Sequence, residues 1–173
     1  MTTHGAMPTF ETDTFILRPL TLDDAAALNA VNQNPLVMKY IKEPESTVEE
    51  TREYLRNGPL ADYETYGYGR HACIDKASGK LIGFSGIKYL PEFGHADVGY
   101  RFLPEYWGKG LATQTASITL QYGLEQCGLT NMLGIAIPEN HASIRVLEKL
   151  GMRFRQYVDY FDTKCSLLSL QPL

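Results

Sequence analysis

The fold of this chain is decided by the segment Gly99-Tyr100-Arg101-Phe102-Leu103-Pro104-Glu105-Tyr106-Trp107-Gly108-Lys109-Gly110-Leu111-Ala112-Thr113. Its first residues predict a strand, which Pro104 ends because proline has no backbone N–H. Two glycines then precede a helix predicted over 111–125, with apolar positions at Leu111, Ile118, Tyr122 and Leu124. A strand that turns through glycines into a helix directs unpaired N–H groups and a helix dipole at one point. With Lys109 adding positive charge, this turn predicts a pyrophosphate site.

Two other phosphate loops do not fit this segment. A dinucleotide-binding loop needs G-x-G-x-x-G after the first strand, but only Gly108 and Gly110 are present and they lie late in the chain. The pattern G-x-x-x-x-G-K-[ST] of nucleotide hydrolases occurs nowhere. Taken alone, Gly-x-Gly also fits a tight strand-to-helix turn without a ligand, and that alternative stays open.

The composition is that of one globular domain. The 173 residues are 44% hydrophobic and 21% charged, and the net charge of −4 gives no sign of a basic surface for nucleic acid. Cys73, Cys127 and Cys165 form no C-x-x-C pair, so we expect free thiols, no metal and a cytoplasmic location. No apolar run is long enough for a membrane span. We expect residues 1–8 to be a disordered extension and 9–173 to be a single domain.

The order of the predicted elements indicates a mixed-sheet α/β domain. Strands are predicted at 15–19, 71–75, 80–89, 96–103, 131–137, 153–160 and 164–170, and helices at 23–34, 36–40, 47–57, 111–125 and 141–150. The third helix is expected to stop at Asn57-Gly58-Pro59. A strand, a helix and a strand around 97–137 predict a parallel pair joined by a right-handed crossover.

Two separated motifs, Tyr106-Trp107-Gly108-Lys109-Gly110-Leu111-Ala112-Thr113 and Pro138-Glu139-Asn140-His141-Ala142-Ser143-Ile144-Arg145-Val146-Leu147-Glu148-Lys149-Leu150-Gly151-Met152, resemble the GNAT N-acetyltransferase superfamily. With Phe15-Ile16-Leu17-Arg18-Pro19-Leu20-Thr21-Leu22-Asp23-Asp24, they are similar to its Rim-type branch of ribosomal-protein N-terminal acetyltransferases. The resemblance extends from about Thr12 to Leu170. It implies a mostly antiparallel, twisted sheet flanked by helices, with a central parallel strand pair splayed at the cofactor site. Trp107 departs from the family pattern, in which Gln or Arg is common.

The resemblance also implies an activity and a binding line for its co-substrate. Acetyl-CoA would transfer its acetyl group directly to a primary amine, either a protein N-terminal α-amine or a small amine, in a ternary complex. Its pantetheine arm would pair with Phe102 and Leu103 and contact Asn140. Its pyrophosphate would meet backbone N–H groups of Trp107, Gly108, Lys109, Gly110, Leu111, Ala112 and Thr113. A non-catalytic acyl-CoA binder remains the competing interpretation.

The catalytic candidates are a carboxylate and two hydroxyls. Asp97 is the candidate general base, and its alternative is a structural carboxylate at a sheet edge; His95, two residues earlier on the same strand face, is a candidate proton relay. Ser143 and Tyr100 are candidate acids toward the departing thiolate. Asn140 also fits a helix N-cap with Ser143 at the third position. Helical residues Met38 and Tyr40, with Ile41, are acceptor-site candidates or core residues. Members of the family often pair through sheet edges or the C-terminal hairpin, so a homodimer is one expected state.

Overall fold

The described strands form one mixed sheet with helices on both faces. The computed structural model describes residues 7–41, 43 and 46–173. The strands are β1 Phe10–Glu11, β2 Phe15–Pro19, β3 Arg70–Asp75, β4 Leu81–Leu90, β5 His95–Phe102, β6 Leu133–Ala136, β7 Arg153–Tyr160 and β8 Thr163–Ser169. The α-helices are α1 Ala25–Asn32, α2 Val48–Leu55, α3 Ala61–Tyr66, α4 Leu111–Gln126 and α5 His141–Lys149. Short 3₁₀ turns occupy Leu22–Asp24, Val37–Tyr40 and Pro104–Tyr106.

The sheet has the order β1-β2-β3-β4-β5-β6-β8-β7, and its one parallel pair among the described residues is β5 with β6. β4 and β5 pair along their length, from Gly83 opposite Phe102 to Leu90 opposite His95. β5 and β6, by contrast, meet only where Asp97 lies opposite Leu133. The two parallel strands therefore diverge beyond Asp97. The predicted α/β fold, with a mostly antiparallel sheet and a parallel pair, is confirmed.

Successive side chains of β5 face opposite sides of the sheet. Ala96 and Val98 pack with Ala116 and Leu120 of α4, and we call this side the α4 face. The other side, the α1 face, carries Asp97, Gly99 and Arg101 and lies against the cluster formed by α1 and α2. Every residue of β5 is thus assigned to one of two distinct environments.

Helix α4 forms as predicted, and small residues make up most of its fully buried face. Leu124 is 36% exposed, whereas the residues beneath the helix are Thr115, Ala116, Thr119, Leu120 and Gly123. The buried Thr119 hydroxyl donates to the carbonyl of Thr115 at 3.2 Å, so its burial leaves no donor unpaired. A Cβ at Gly123 would lie 2.3 Å from the Met132 side chain. Small residues therefore bring α4 close to the sheet.

The predicted helix end at Asn57-Gly58-Pro59 is wrong. The chain continues through a π-helical segment, Arg56–Leu60, into α3, which ends at Gly67 with a φ of 78°. A π turn accommodates Pro59, because its wider hydrogen-bonding pattern does not require the bond to residue i−4 that proline cannot donate. α3 then holds Tyr63, whose hydroxyl donates to the Arg70 carbonyl and accepts the Leu20 N–H at 2.9 Å. This contact fixes the start of β3.

Most of the predicted N-terminal extension, residues 1–6, lies outside the described residues. Its last two residues contact the domain: His71 Nε2 donates to the Pro8 carbonyl at 3.0 Å, and Met7 packs beside Tyr122. A short strand that the sequence did not indicate, β1, follows and pairs with β2. Across the described part of the chain, no helix combines the length and apolarity needed to traverse a bilayer.

Candidate functional site

The turn before α4, residues 107–110, is open on its outer side, and we call it the glycine turn. Gly108 and Gly110 have φ values of 75° and 77°, and a Cβ at either position would meet no atom within 4 Å. No side chain caps the helix at Gly110, so the first N–H groups of α4, at Leu111, Ala112 and Thr113, face this open space. The residues present fit a diphosphate, because backbone donors, a helix N-terminus and room for close approach coincide.

Trp107 braces the glycine turn against the end of β5. Its indole N–H donates to the Phe102 carbonyl at 2.7 Å, while half of the side chain remains exposed. Lys109 lies with Nζ 5.6 Å from the centroid of the Tyr106 ring, a cation–π distance that keeps its charge beside the turn. The aromatic side chain at position 107 therefore has a structural role in shaping the loop.

The end of β5 offers fewer free backbone groups than the sequence suggested. The Leu103 N–H donates to the Ile82 carbonyl at 3.0 Å, and the Phe102 carbonyl is occupied by Trp107. Because antiparallel strands alternate their hydrogen-bonding direction, the Phe102 N–H and the peptide groups of Tyr100 face the divergence from β6. An extended amide ligand would meet Phe102 and Tyr100 there, and Leu103 would contribute its side chain only.

Tyr100 and Ser143, the two candidate acids, lie together on the α4 face. The Tyr100 hydroxyl is 3.1 Å from Ser143 Oγ. Asn140 caps α5 as predicted, with its Oδ1 accepting the Ser143 N–H at 3.3 Å. Burial raises the pKa of the Tyr100 phenol, and the hydrogen bond with Ser143 opposes that rise. The phenol therefore stays protonated at neutral pH and has a proton to donate.

Asp97, the candidate base, lies on the α1 face inside the sheet rather than at its edge. Its side chain is 9% exposed, and Oδ1 lies 3.1 Å from Arg70 Nη2. No donor among the described residues makes a well-aligned hydrogen bond to this oxygen. Burial raises the pKa of the Asp97 carboxyl above its ordinary value, and the Arg70 guanidinium opposes that rise. His95 is half-buried on the same strand face, and no described hydrogen bond joins it to Asp97.

The candidate base and the candidate acids thus lie on opposite faces of β5, beside the point where β6 leaves it. An amine on the α1 face and a thioester on the α4 face would meet through this divergence. No described group of three or more His, Cys, Asp or Glu side chains is arranged to hold a metal ion.

Sequence reasoning missed three features of the α1 face. Arg70 faces Asp97 from β3. Lys88 of β4 binds Asp62 of α3 at 3.0 Å. Arg101 binds Glu43 at 2.9 Å. The Arg101–Glu43 pair places Glu43 beside β5. The acceptor candidates Met38, Tyr40 and Ile41, in and beside the Val37–Tyr40 turn, are half-buried. Because each of these pairings joins residues distant in the chain, no local pattern marks them.

Comparisons with known proteins show which family this chain resembles over most of its length. The family model described as "Acetyltransferase (GNAT) domain" matches residues 14–153. The uncharacterized N-acetyltransferase YoaA of Bacillus subtilis (strain 168) is 31% identical over 157 residues, covering 87% of this chain and 88% of YoaA. Spermidine N(1)-acetyltransferase of Escherichia coli (strain K12) is 29% identical over 139 residues, covering 78% and 70% respectively. A GNAT-family acetyltransferase structure from Bacillus anthracis has a TM-score of 0.74 at 27% identity, covering 94% of this chain and 96% of that one.

Proposed function

Because this chain belongs to the GNAT acetyltransferase family, we propose that it moves an acetyl group from acetyl-CoA to a primary amine by direct transfer in a ternary complex. The observation that carries the proposal is the open glycine turn, which leads to the divergence of β5 and β6 with a carboxylate on one face and two hydroxyls on the other. The thioester supplies an activated acyl group. The residues of this chain supply binding, polarisation and proton transfer.

Each proposed role follows from the position of a group. The N–H groups from the glycine turn to Thr113 bind the diphosphate, and the Phe102 N–H faces the gap where it would polarise the acyl carbonyl. Asp97 accepts the proton of the amine from the α1 face, directly or through a water. Tyr100 and Ser143 protonate the departing thiolate from the α4 face, with Asn140 fixing the helix that carries Ser143.

We propose an α-amine, as in the Rim-type branch, rather than a polyamine as acceptor. On the α1 face each described basic side chain near Asp97 is matched by an acid, in the pairs Arg70–Asp97, Lys88–Asp62 and Arg101–Glu43. Such a face has no strong net attraction for a polycation. Neutralising an α-amino group at pH 7 costs about 1 kcal/mol, whereas a lysine amine costs about 4.6 kcal/mol. A single buried carboxylate is adequate for the easier task.

The test is the release of CoA thiol from acetyl-CoA with three acceptors: a peptide with a free N-terminus, a lysine peptide with a blocked N-terminus, and spermidine. Acetylation of the first should be fastest, with the modified nitrogen located by mass spectrometry. Asp97→Asn should lower turnover at least tenfold with CoA affinity unchanged. CoA binding with no acetylation of any amine would instead favour the competing function, a non-catalytic acyl-CoA binder.

We also infer a cytoplasmic location, which the three free thiols of Cys73, Cys127 and Cys165 support. A homodimer stays a proposal, and sedimentation of the purified chain at micromolar concentration tests it.

A further inference from the structure

We propose that Arg70 is a positioning residue for acetyl transfer, which holds Asp97 as an anion aimed at the amine, and that Gly99 is small in order to admit it. The proposal rests on the proposed function, because it requires Asp97 to accept the proton of the amine. It adds two residues, Arg70 and Gly99, for which the sequence offered no role.

The guanidinium of Arg70 is fixed between three strands. It starts on β3, its Nη1 donates to the Gly86 carbonyl of β4, and its Nη2 lies 3.1 Å from Asp97 Oδ1 on β5. The Arg70 and Asp97 side chains are 12% and 9% exposed. At the other end, the Tyr63 hydroxyl holds the Arg70 carbonyl. These contacts therefore fix the position of the Arg70 guanidinium and keep it largely out of solvent.

Gly99 provides the space in which the guanidinium lies. A Cβ at Gly99 would sit 2.7 Å from Arg70 Nη2 and 2.9 Å from its Cζ, closer than side chains tolerate. A glycine inside a strand weakens the strand and often marks a bulge, a bend or a close approach by another group. Here the approaching group is the guanidinium, which covers the β5 backbone two residues from Asp97.

The other charges around Asp97 do not replace Arg70. Lys88 of β4 contributes at longer range and is itself bound to Asp62 of α3, and Glu92 in the β4–β5 turn opposes ionisation of Asp97. His95 shares the strand face, and Leu133 of β6 is apolar. Burial raises the pKa of Tyr160 on β7 to about 12, so this phenol is neutral. Without Arg70, burial favours protonated Asp97, which cannot accept a proton.

Such a buried cation has a second conceivable use, binding a carboxylate of the acceptor. The geometry favours the first, since the contacts of Arg70 already include the Gly86 carbonyl and Asp97. The two roles differ in what they change: the ionisation of Asp97 appears in a pH profile, while acceptor binding appears in the KM of one class of acceptor.

The experiment compares the pH dependence of kcat/KM for the preferred amine in wild type, Arg70→Met, Arg70→Lys and Gly99→Ala. The ionisation of the amine is common to all variants, so differences between profiles report the enzyme. Arg70→Met should move the acidic limb upward by about one pH unit or more and lower turnover about tenfold at pH 7, with recovery at higher pH. Arg70→Lys should restore most of the profile. Gly99→Ala, which displaces the guanidinium without removing its charge, should shift the limb in the same direction as Arg70→Met.

Arg18→Met is the matched control, because it breaks another Arg–Asp pair, with Asp24 at 2.8 Å, on β2. It should lower stability and leave the limb in place, and CoA affinity should be unchanged in every variant. If Arg70→Met does not fold, Gly99→Ala gives the same reading. If the acidic limb of the pH profile does not move in Arg70→Met or in Gly99→Ala, the inference is overturned. A rise in KM confined to carboxylate-bearing acceptors would assign Arg70 to acceptor binding instead. An Asp97→Asn enzyme with wild-type turnover would instead refute the base role on which the inference rests.

Discussion

Placing a carboxylate at Gly110 tests the glycine turn most directly. At this position a Cβ meets no atom within 4 Å, so Gly110→Asp adds charge without a clash, although its φ of 77° costs a non-glycine residue about 1–2 kcal/mol. Two unit charges about 4 Å apart repel by ~4 kcal/mol at an effective dielectric constant of about 20. Because the turn is exposed, solvent screening reduces this, and we expect about 2 kcal/mol.

Calorimetric titration with CoA should therefore show affinity about thirtyfold weaker for Gly110→Asp than for Gly110→Asn, which has the same shape and no charge. The difference should shrink as salt is raised. Gly128→Asp is the control for backbone strain, because Gly128 has a φ of 71° and open surroundings at the far end of α4, roughly 24 Å away. It should lose stability but keep wild-type affinity for CoA. Equal CoA affinity in the Asp and Asn variants at position 110 would refute the assignment of the diphosphate to this turn.

Three further predictions concern other parts of the molecule. Trp107→Phe removes the 2.7 Å bond to the Phe102 carbonyl, worth about 1 kcal/mol, and should weaken CoA binding several-fold in the same titration with little change in kcat. Tyr100→Phe and Ser143→Ala should each lower kcat about tenfold without abolishing it, since a thiol of pKa ~8.5 leaves readily; steady-state thiol release measures this, and wild-type rates in the double variant would contradict it. Burial lowers the pKa of His71 to about 4, so the folded state loses stability as pH falls from about 6.5, by up to ~3 kcal/mol at pH 4. Urea unfolding should show this loss in wild type and a smaller one in His71→Gln; identical pH slopes would contradict it.

The parts of the site that the sequence predicted are those encoded within a few residues. Gly108 and Gly110 predict the turn before α4, and Asn140 predicts the start of α5, because each pattern depends on residues within three or four positions of one another. The crossover from β5 to β6 followed from element order alone. The Arg70–Asp97 pair was not predictable, since it depends on the register of β3, β4 and β5. The same register turns the Leu103 N–H toward Ile82, which the sequence could not reveal.

Two features of the helices also depend on their neighbours. Threonine hydroxyls that bond back to the backbone of α4 make a small polar face suited to close packing, while the large side chain of Leu124 is 36% exposed. Pro59 predicts a helix end because proline breaks an α-helix, and the π-helical segment removes that conflict. In both cases a local preference yields to an arrangement that only the neighbouring elements define.

The π-helical segment Arg56–Leu60 determines how α3 is rotated about its own axis. A π turn holds about one residue more than an α turn, so winding the same residues as a regular α-helix would rotate α3 by roughly 100° about its axis, and Pro59 disfavours that winding. Tyr63 would leave the Arg70 carbonyl, and Asp62 would leave Lys88. The wide turn at Arg56–Leu60, more than thirty positions before Asp97, therefore helps to place the charged side chains around Asp97.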